Sequence, residues 1–197
     1  MAPGRVIYIA TSNMHKVEEI NAVLQECGYR VEPINVPKLE IQGDLKRVAL
    51  YAAATAYSVV GKPVLVEDAG LFIEALRGFP GPYSSYVYKT IGVDGILRLM
   101  KGVDNRRAYF YSVIALAYSG GLALFEGRCD GYIADKPRGS KGFGFDPIFI
   151  PERDNRTFAE MDVEEKNKYS HRARAARALC SWLERNQQVL IGQTRQR

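Results

Sequence analysis

The chain has 197 residues, 47% of them hydrophobic and 25% charged, with a formal net charge of +5. That length and apolar share suffice to bury a core as one domain, with room for two lobes, and exclude a disordered chain. No stretch approaches the roughly 20 apolar residues that span a bilayer, and the first residues lack the basic and apolar blocks of a secretory signal, so the expected location is the cytoplasm. The positive excess is local: from Arg172 onward six arginines face a single acid, Glu184. No aromatic-studded strand or helical reader accompanies them, so no polynucleotide partner is expected, and a small polyanion explains the charge as well. Cys27, Cys129 and Cys180 are odd in number and widely spaced, without a C-x-x-C pair. This argues against a disulfide framework or a structural zinc site, and predicts packing residues.

In chain order, Val6–Ala10 is too short for a helix and reads as a buried parallel strand. From Lys16 onward Val17, Ile20, Val23, Leu24 and Cys27 recur at helical spacing, with Glu18, Glu19, Gln25 and Glu26 on the other face. Val31 to Val36 reads as a second strand, and Pro37 to Gly43 as a loop. Asp44 is the expected N-cap of a helix whose stripe runs from Leu45 to Val59 and stops at Gly61 and Pro63. Val64–Val66 is a third short strand ending in Glu67-Asp68-Ala69-Gly70. This β-α-β-α-β order predicts an α/β fold. Arg77 to Tyr83 is a turn-rich loop and Val93 to Met100 a short helix. Tyr109–Tyr118 and Leu122–Tyr132 flank Ser119-Gly120-Gly121, which predicts a long antiparallel hairpin. A glycine-rich loop spans Arg138 to Phe145, and a last helix spans His171 to Asn186. No internal repeat interrupts this order, and an elongated mixed sheet with a cleft accommodates it.

Four segments carry groups that can do chemistry. The turn Thr11-Ser12-Asn13-Met14-His15-Lys16 joins a strand to a helix, an arrangement that aims backbone N–H groups and the positive helix end at one point and attracts anions. Ser12 and Asn13 are equally good helix caps. Lys16 favours the anion, because a cation in a first turn is unfavourable unless something negative sits there. Glu67-Asp68 stands at the carboxyl end of a strand, where open α/β sheets bind ligands, although such a pair is also common in surface turns. Gly70 permits close backbone approach, and Glu40 lies in the loop after the neighbouring strand, so Glu40 and Asp68 can share a hard divalent cation such as magnesium. Lys141-Gly142-Phe143-Gly144-Phe145-Asp146-Pro147 offers an aromatic to a flat ring, or else a buried aromatic in a structural loop. Neither the Walker pattern nor G-x-G-x-x-G is present. Asp162 and Ser170 cap two further helices, leaving Lys166, His171 and Arg172 either to decorate a solvated helix or to converge on an anion.

Taken in order, Thr11-Ser12-Asn13-x-x-Lys16, Glu67-Asp68-Ala69-Gly70-Leu71, Gly78-Phe79-Pro80-Gly81, Gly142-Phe143-Gly144-Phe145-Asp146-Pro147-Ile148-Phe149 and Lys166 with His171-Arg172 resemble the inosine triphosphate pyrophosphatase family. The resemblance spans nearly the whole chain, and its strength lies in the ordered set. It implies a two-lobed α/β fold with a central nucleotide cleft, a homodimer, and magnesium-dependent hydrolysis of ITP, dITP and XTP to the monophosphate and pyrophosphate. By motif position, the Thr11–Lys16 segment would hold the triphosphate, Met14 and His15 included. Asp68 would be the metal ligand and the proton acceptor for water, and Glu40 the second metal ligand. Ala69 would lie against the substrate and Phe143 would stack on the purine, with Gly144, Phe145 and Asp146 shaping that pocket. Lys166, His171 and Arg172 would complete base and phosphate recognition. Two departures stand out: Ala69 replaces a serine common in the family, and Tyr51-Ala52-Ala53-Ala54 lacks a helix lysine found in many members, which shifts phosphate neutralisation to Lys16, Lys166 and the arginines. Hydrolysis of other modified nucleotides, or a non-catalytic nucleotide- or RNA-binding module, are the alternatives.

Overall fold

Strand β1 (Arg5–Ala10) opens the described chain in the computed structural model, which describes residues 5–36 and 43–187. Ile7 and Ile9 are buried on one face of β1, and the turn after it is capped by Asn13, whose side chain accepts a hydrogen bond from the His15 N–H at 3.1 Å. Helix α1 (Met14–Leu24) then packs Val17, Ile20, Val23 and Leu24 inward; each such burial contributes about 1.5–3 kcal/mol. β2 (Tyr29–Ile34) runs parallel to β1. The predicted cap Asp44 starts α2 (Leu45–Val60), which ends at Gly61 as expected. Glu40 lies outside the described residues.

The chain continues through β3 (Val64–Ile73), β4 (Pro80–Gly81), α3 (Ser84–Thr90), α4 (Gly92–Leu99), β5 (Arg107–Tyr118), β6 (Gly121–Ile133), β7 (Phe149–Pro151), α5 (Val163–Asn167) and α6 (His171–Arg185). The strands form one mixed sheet in the order β2-β1-β3-β5-β6-β7, with β4 added to β3. β1 and β3 are parallel, whereas β3/β5, β5/β6 and β6/β7 are antiparallel. Three apolar clusters hold the layers together. α1 and α6 cover one face of the sheet through Leu65, Ile114 and Leu179, and α2 covers the other through Ala49, Ala53, Val64 and Val113. Leu71, Ile73, Phe110, Phe149 and Phe158 build a further cluster with α3 and α4.

Three expectations are corrected. The third strand does not stop at Val66: β5 pairs with all ten residues of β3, so Glu67-Asp68 lies inside a strand. Glu19, placed on the solvent face by periodicity, is 2% exposed because α5 and α6 cover it with cations. Cys27 and Cys180, read as packing residues, form a disulfide. They are 153 residues apart, a spacing that hides the side-by-side packing of α1 and α6. Cys129 is buried and unbridged. Gly70 does serve close approach, since a Cβ there would run into the Gly81 carbonyl and force β4 away from β3.

Candidate active site

The site begins at a break in the edge of β3. β1 pairs with Val64 and Leu65, and β4 pairs with Leu71 and Phe72 on the other side of the break; between them, residues 66–70 have register partners on β5 alone among the described strands. Glu67, Asp68 and Ala69 sit in that break. The turn Thr11–Lys16 leaves the end of β1 and reaches back to it. The Thr11 hydroxyl accepts from the Asn13 N–H at 3.1 Å, Ser12 and Met14 are exposed, and the Lys16 ammonium donates to the Glu67 carbonyl at 3.1 Å. Neighbouring strand residues face opposite sides, so Glu67 points to the α1/α6 layer while half-buried Asp68 points to the α2 layer. Asp68 Oδ1 accepts from the Ala69 N–H at 3.2 Å.

From Glu67 a buried chain of charges crosses the cleft. Its carboxylate meets Lys16 Nζ at 2.8 Å and accepts from Arg172 Nε at 3.0 Å and Ser112 Oγ at 2.6 Å. Arg172 Nη1 continues to Glu19 Oε2 at 2.6 Å, and Glu19 Oε1 accepts from Lys166 Nζ at 2.7 Å. Lys166 ends the chain on Asp146 Oδ2 at 2.6 Å, which also accepts the Phe143 N–H at 2.9 Å. Three carboxylates thus match three cations. Burial alone would raise the Glu67 carboxyl, but the charges of Arg172 and Lys16 outweigh it and hold the group well below the usual carboxylate range. Burial would lower the Lys166 ammonium, yet Asp146 and Glu19 raise it, so it stays charged. Removing one member would strand a buried charge, a loss of about 3–5 kcal/mol.

The far end of the chain holds the aromatic loop. Positive φ angles at Gly142 and Gly144 bend it, and Phe143 lies half-buried with Lys166 Nζ and Arg172 Cζ each 5.2 Å from its ring centre. Phe145 is directed elsewhere: it is 3% exposed, belongs to the apolar cluster with Leu71 and Phe149, and meets exposed Tyr88 edge-on. Ser170 caps α6, accepting from the Ala173 N–H at 3.1 Å, so His171 and Arg172 occupy its first turn. That turn lies against β6 at Gly127, where a Cβ would strike the His171 carbonyl. His171 is buried, stacks on Phe110 at 4.6 Å and leaves Nδ1 without a partner among the described residues. Burial, reinforced by the nearby Arg172 charge, lowers its pKa well below the ordinary histidine value, so the ring is neutral.

The structure therefore brings the first turn, Glu67, Phe143, Asp146, Lys166, His171 and Arg172 together on the α1/α6 side of the sheet, while Asp68, next to Glu67 in the break of β3, faces the α2 side. Glu19 and Ser112 complete the group without having been singled out from the sequence. Glu19 carried a signal, because Lys16, Glu19, Ile20 and Val23 share one helical face. Ser112 carried none, because only the β3/β5 register sets it beside Glu67.

The Ham1 family model matches residues 7–182, which include every element of this cleft. The chain belongs to the Ham1 family. The dITP/XTP pyrophosphatase of Hyperthermus butylicus is 65% identical, over 91% of this chain and 95% of the relative. That of Thermococcus kodakarensis is 55% identical, over 89% of this chain and 96% of the relative. A solved HAM1 protein from Coxiella burnetii superposes with a TM-score of 0.80 at 32% identity, covering 92% of this chain and 99% of that one. The Staphylococcus aureus Ham1 protein does so with a TM-score of 0.79 at 29% identity, covering 91% and 98%.

Proposed function

We propose that this Ham1-family chain is a nucleoside triphosphate pyrophosphatase that hydrolyses dITP and XTP, the nucleotides in its relatives' names, and ITP as well, to the monophosphate and pyrophosphate. The observation that carries the reading is the buried ion chain. It ties the turn suited to a triphosphate to the loop suited to a purine, across the break in β3 where Asp68 stands.

Asp68 is the proposed proton acceptor. It orients a water toward the α-phosphorus and takes its proton as the bond to the β-phosphate oxygen breaks and pyrophosphate leaves. Its neighbour Glu67 is unsuited to that task, because Lys16, Arg172 and Ser112 already engage its carboxylate. The expected magnesium is part of this proposal. Magnesium is commonly held by one or two carboxylates with water and phosphate oxygens, and Asp68, with Glu40 from outside the described residues, would supply them. When bound, the ion would withdraw charge from the phosphoryl oxygens. Lys16 keeps further N–H capacity for the same oxygens beyond its contacts with Glu67.

At the base end, neutral His171 offers a ring nitrogen without a partner among the described residues, a group able to donate to the 6-carbonyl of hypoxanthine or xanthine. Adenine presents an amino donor there, and a buried donor left unpaired costs about 1–3 kcal/mol. An RNA-binding module is disfavoured: Arg172, Arg174 and Arg177 of the basic segment spend their side chains on carboxylates and backbone carbonyls within the fold. A homodimer belongs to the same proposal, with exposed Tyr83, Tyr86, Tyr88 and Ile91 around α3 as apolar surface for a second copy; sedimentation at micromolar protein tests it.

Turnover of dITP, XTP, ATP and GTP with and without magnesium is the direct test. The expected result is pyrophosphate as first product, from dITP and XTP, only with the metal. Orthophosphate as first product rejects the reading. Asp68→Asn should lower kcat by orders of magnitude with an unchanged circular dichroism spectrum; retained turnover would assign the proton acceptor elsewhere.

A further inference from the structure

His15 belongs to the turn expected to hold phosphate, yet its groups are committed differently. Its backbone N–H is spent on the Asn13 cap, and its imidazole stacks on Phe143 with ring centres 5.4 Å apart and planes inclined by 12°. The two rings come from opposite sides of the cleft, one from the first turn of α1 and one from the glycine loop. A cavity of about 540 Å³ adjoins His15 and the start of the glycine loop, with Glu19, Lys141, Gly142, Met161 and Lys166 in its lining.

We propose that His15 and Phe143 form a two-sided clamp that takes the substrate's purine between them. The inference rests on the proposed function and deepens it by naming the second wall of the base site. A flat base with a ring on each side needs the outer rings about 7 Å apart, twice the ordinary contact distance. The present separation is smaller, so one wall must move. The Phe143 ring is half-buried beside Lys166 and Arg172, whereas His15 is exposed and is pinned through its backbone N–H, so the imidazole turns outward while α1 stays in place. Lys166 and Arg172, each 5.2 Å from the Phe143 ring centre, then lie where they can meet the edge of the inserted base.

The test compares wild type with His15→Ala, His15→Phe and His15→Leu, using ITP as substrate and tripolyphosphate as a base-free inhibitor. Loss of one aromatic wall should raise KM for ITP about tenfold, with kcat within about twofold. His15→Phe should restore KM, His15→Leu should not, and inhibition by tripolyphosphate should be the same in all four proteins. An unchanged or lowered KM in His15→Ala, or equal rescue by leucine and phenylalanine, overturns the clamp. So does a parallel loss of tripolyphosphate inhibition, which would return His15 to the phosphates. Calorimetric titration with inosine monophosphate separates the two readings: if wild type fails to hydrolyse ITP but His15→Ala weakens monophosphate binding, the clamp stands and the proposed reaction falls. Equal monophosphate affinities overturn the clamp whatever the turnover.

Discussion

Glu67 and His171 lie within the same cleft and make the fold sensitive to acid for opposite chemical reasons. The Glu67 carboxyl is held below its ordinary value of 4.5 by Arg172 and Lys16, so an unfolded chain takes up a proton near that pH while the folded one does not. Its contribution is complete above pH about 4.5 and is lost on further acidification. His171 is kept neutral by burial, so the unfolded ring binds a proton below its ordinary value of 6.5 while the folded ring refuses it. Stability should thus be level near neutrality, begin to decline below pH about 6.5 and fall more steeply below about 4.5. Urea midpoints measured from pH 8 to 4 check this, and in His171→Phe the first decline should vanish. Residue types and their order were legible for most of this cleft. Pairings were not: Lys166 and Arg172 looked equally suited to a solvated helix, and their buried carboxylate partners lie 147 and 153 residues away for Glu19, and 20 and 105 away for Asp146 and Glu67.

At the scale of elements, the helix caps were the most legible features, because Asn13, Asp44, Asp162 and Ser170 act on N–H groups two or three residues away. The length of β3 and the presence of α3 were not. A strand lengthened by its neighbour and a seven-residue helix leave little periodicity to detect. The junction of α1 and α6 was likewise hidden, although it positions Glu19 and Arg172 and carries the Cys27–Cys180 bond. Closing a loop of 153 residues removes chain entropy from the unfolded state, worth up to about 5 kcal/mol. Reductant, or the Cys27→Ser change, should therefore lower the melting temperature measured by calorimetry, and reductant should not lower it further in the variant.

Across the whole molecule, the α/β class and the mixed sheet could be read from the alternation of apolar strands with amphipathic helices. The strand order could not, since it depends on β5 returning beside β3 rather than beside β2. On the other edge of β3, β1 and β4 each cover two residues and leave the break between them, so the cleft owes its position to topology and its contents to sequence. The cysteine bridge has a further result for the molecule as an object. The polypeptide is a closed ring from Cys27 to Cys180, and the turn at Ser119-Gly120 is an exposed point on its circumference. A single protease cut there opens the ring without releasing either piece. Such a nicked protein should migrate as one species on a non-reducing denaturing gel and as two fragments once thiol is added.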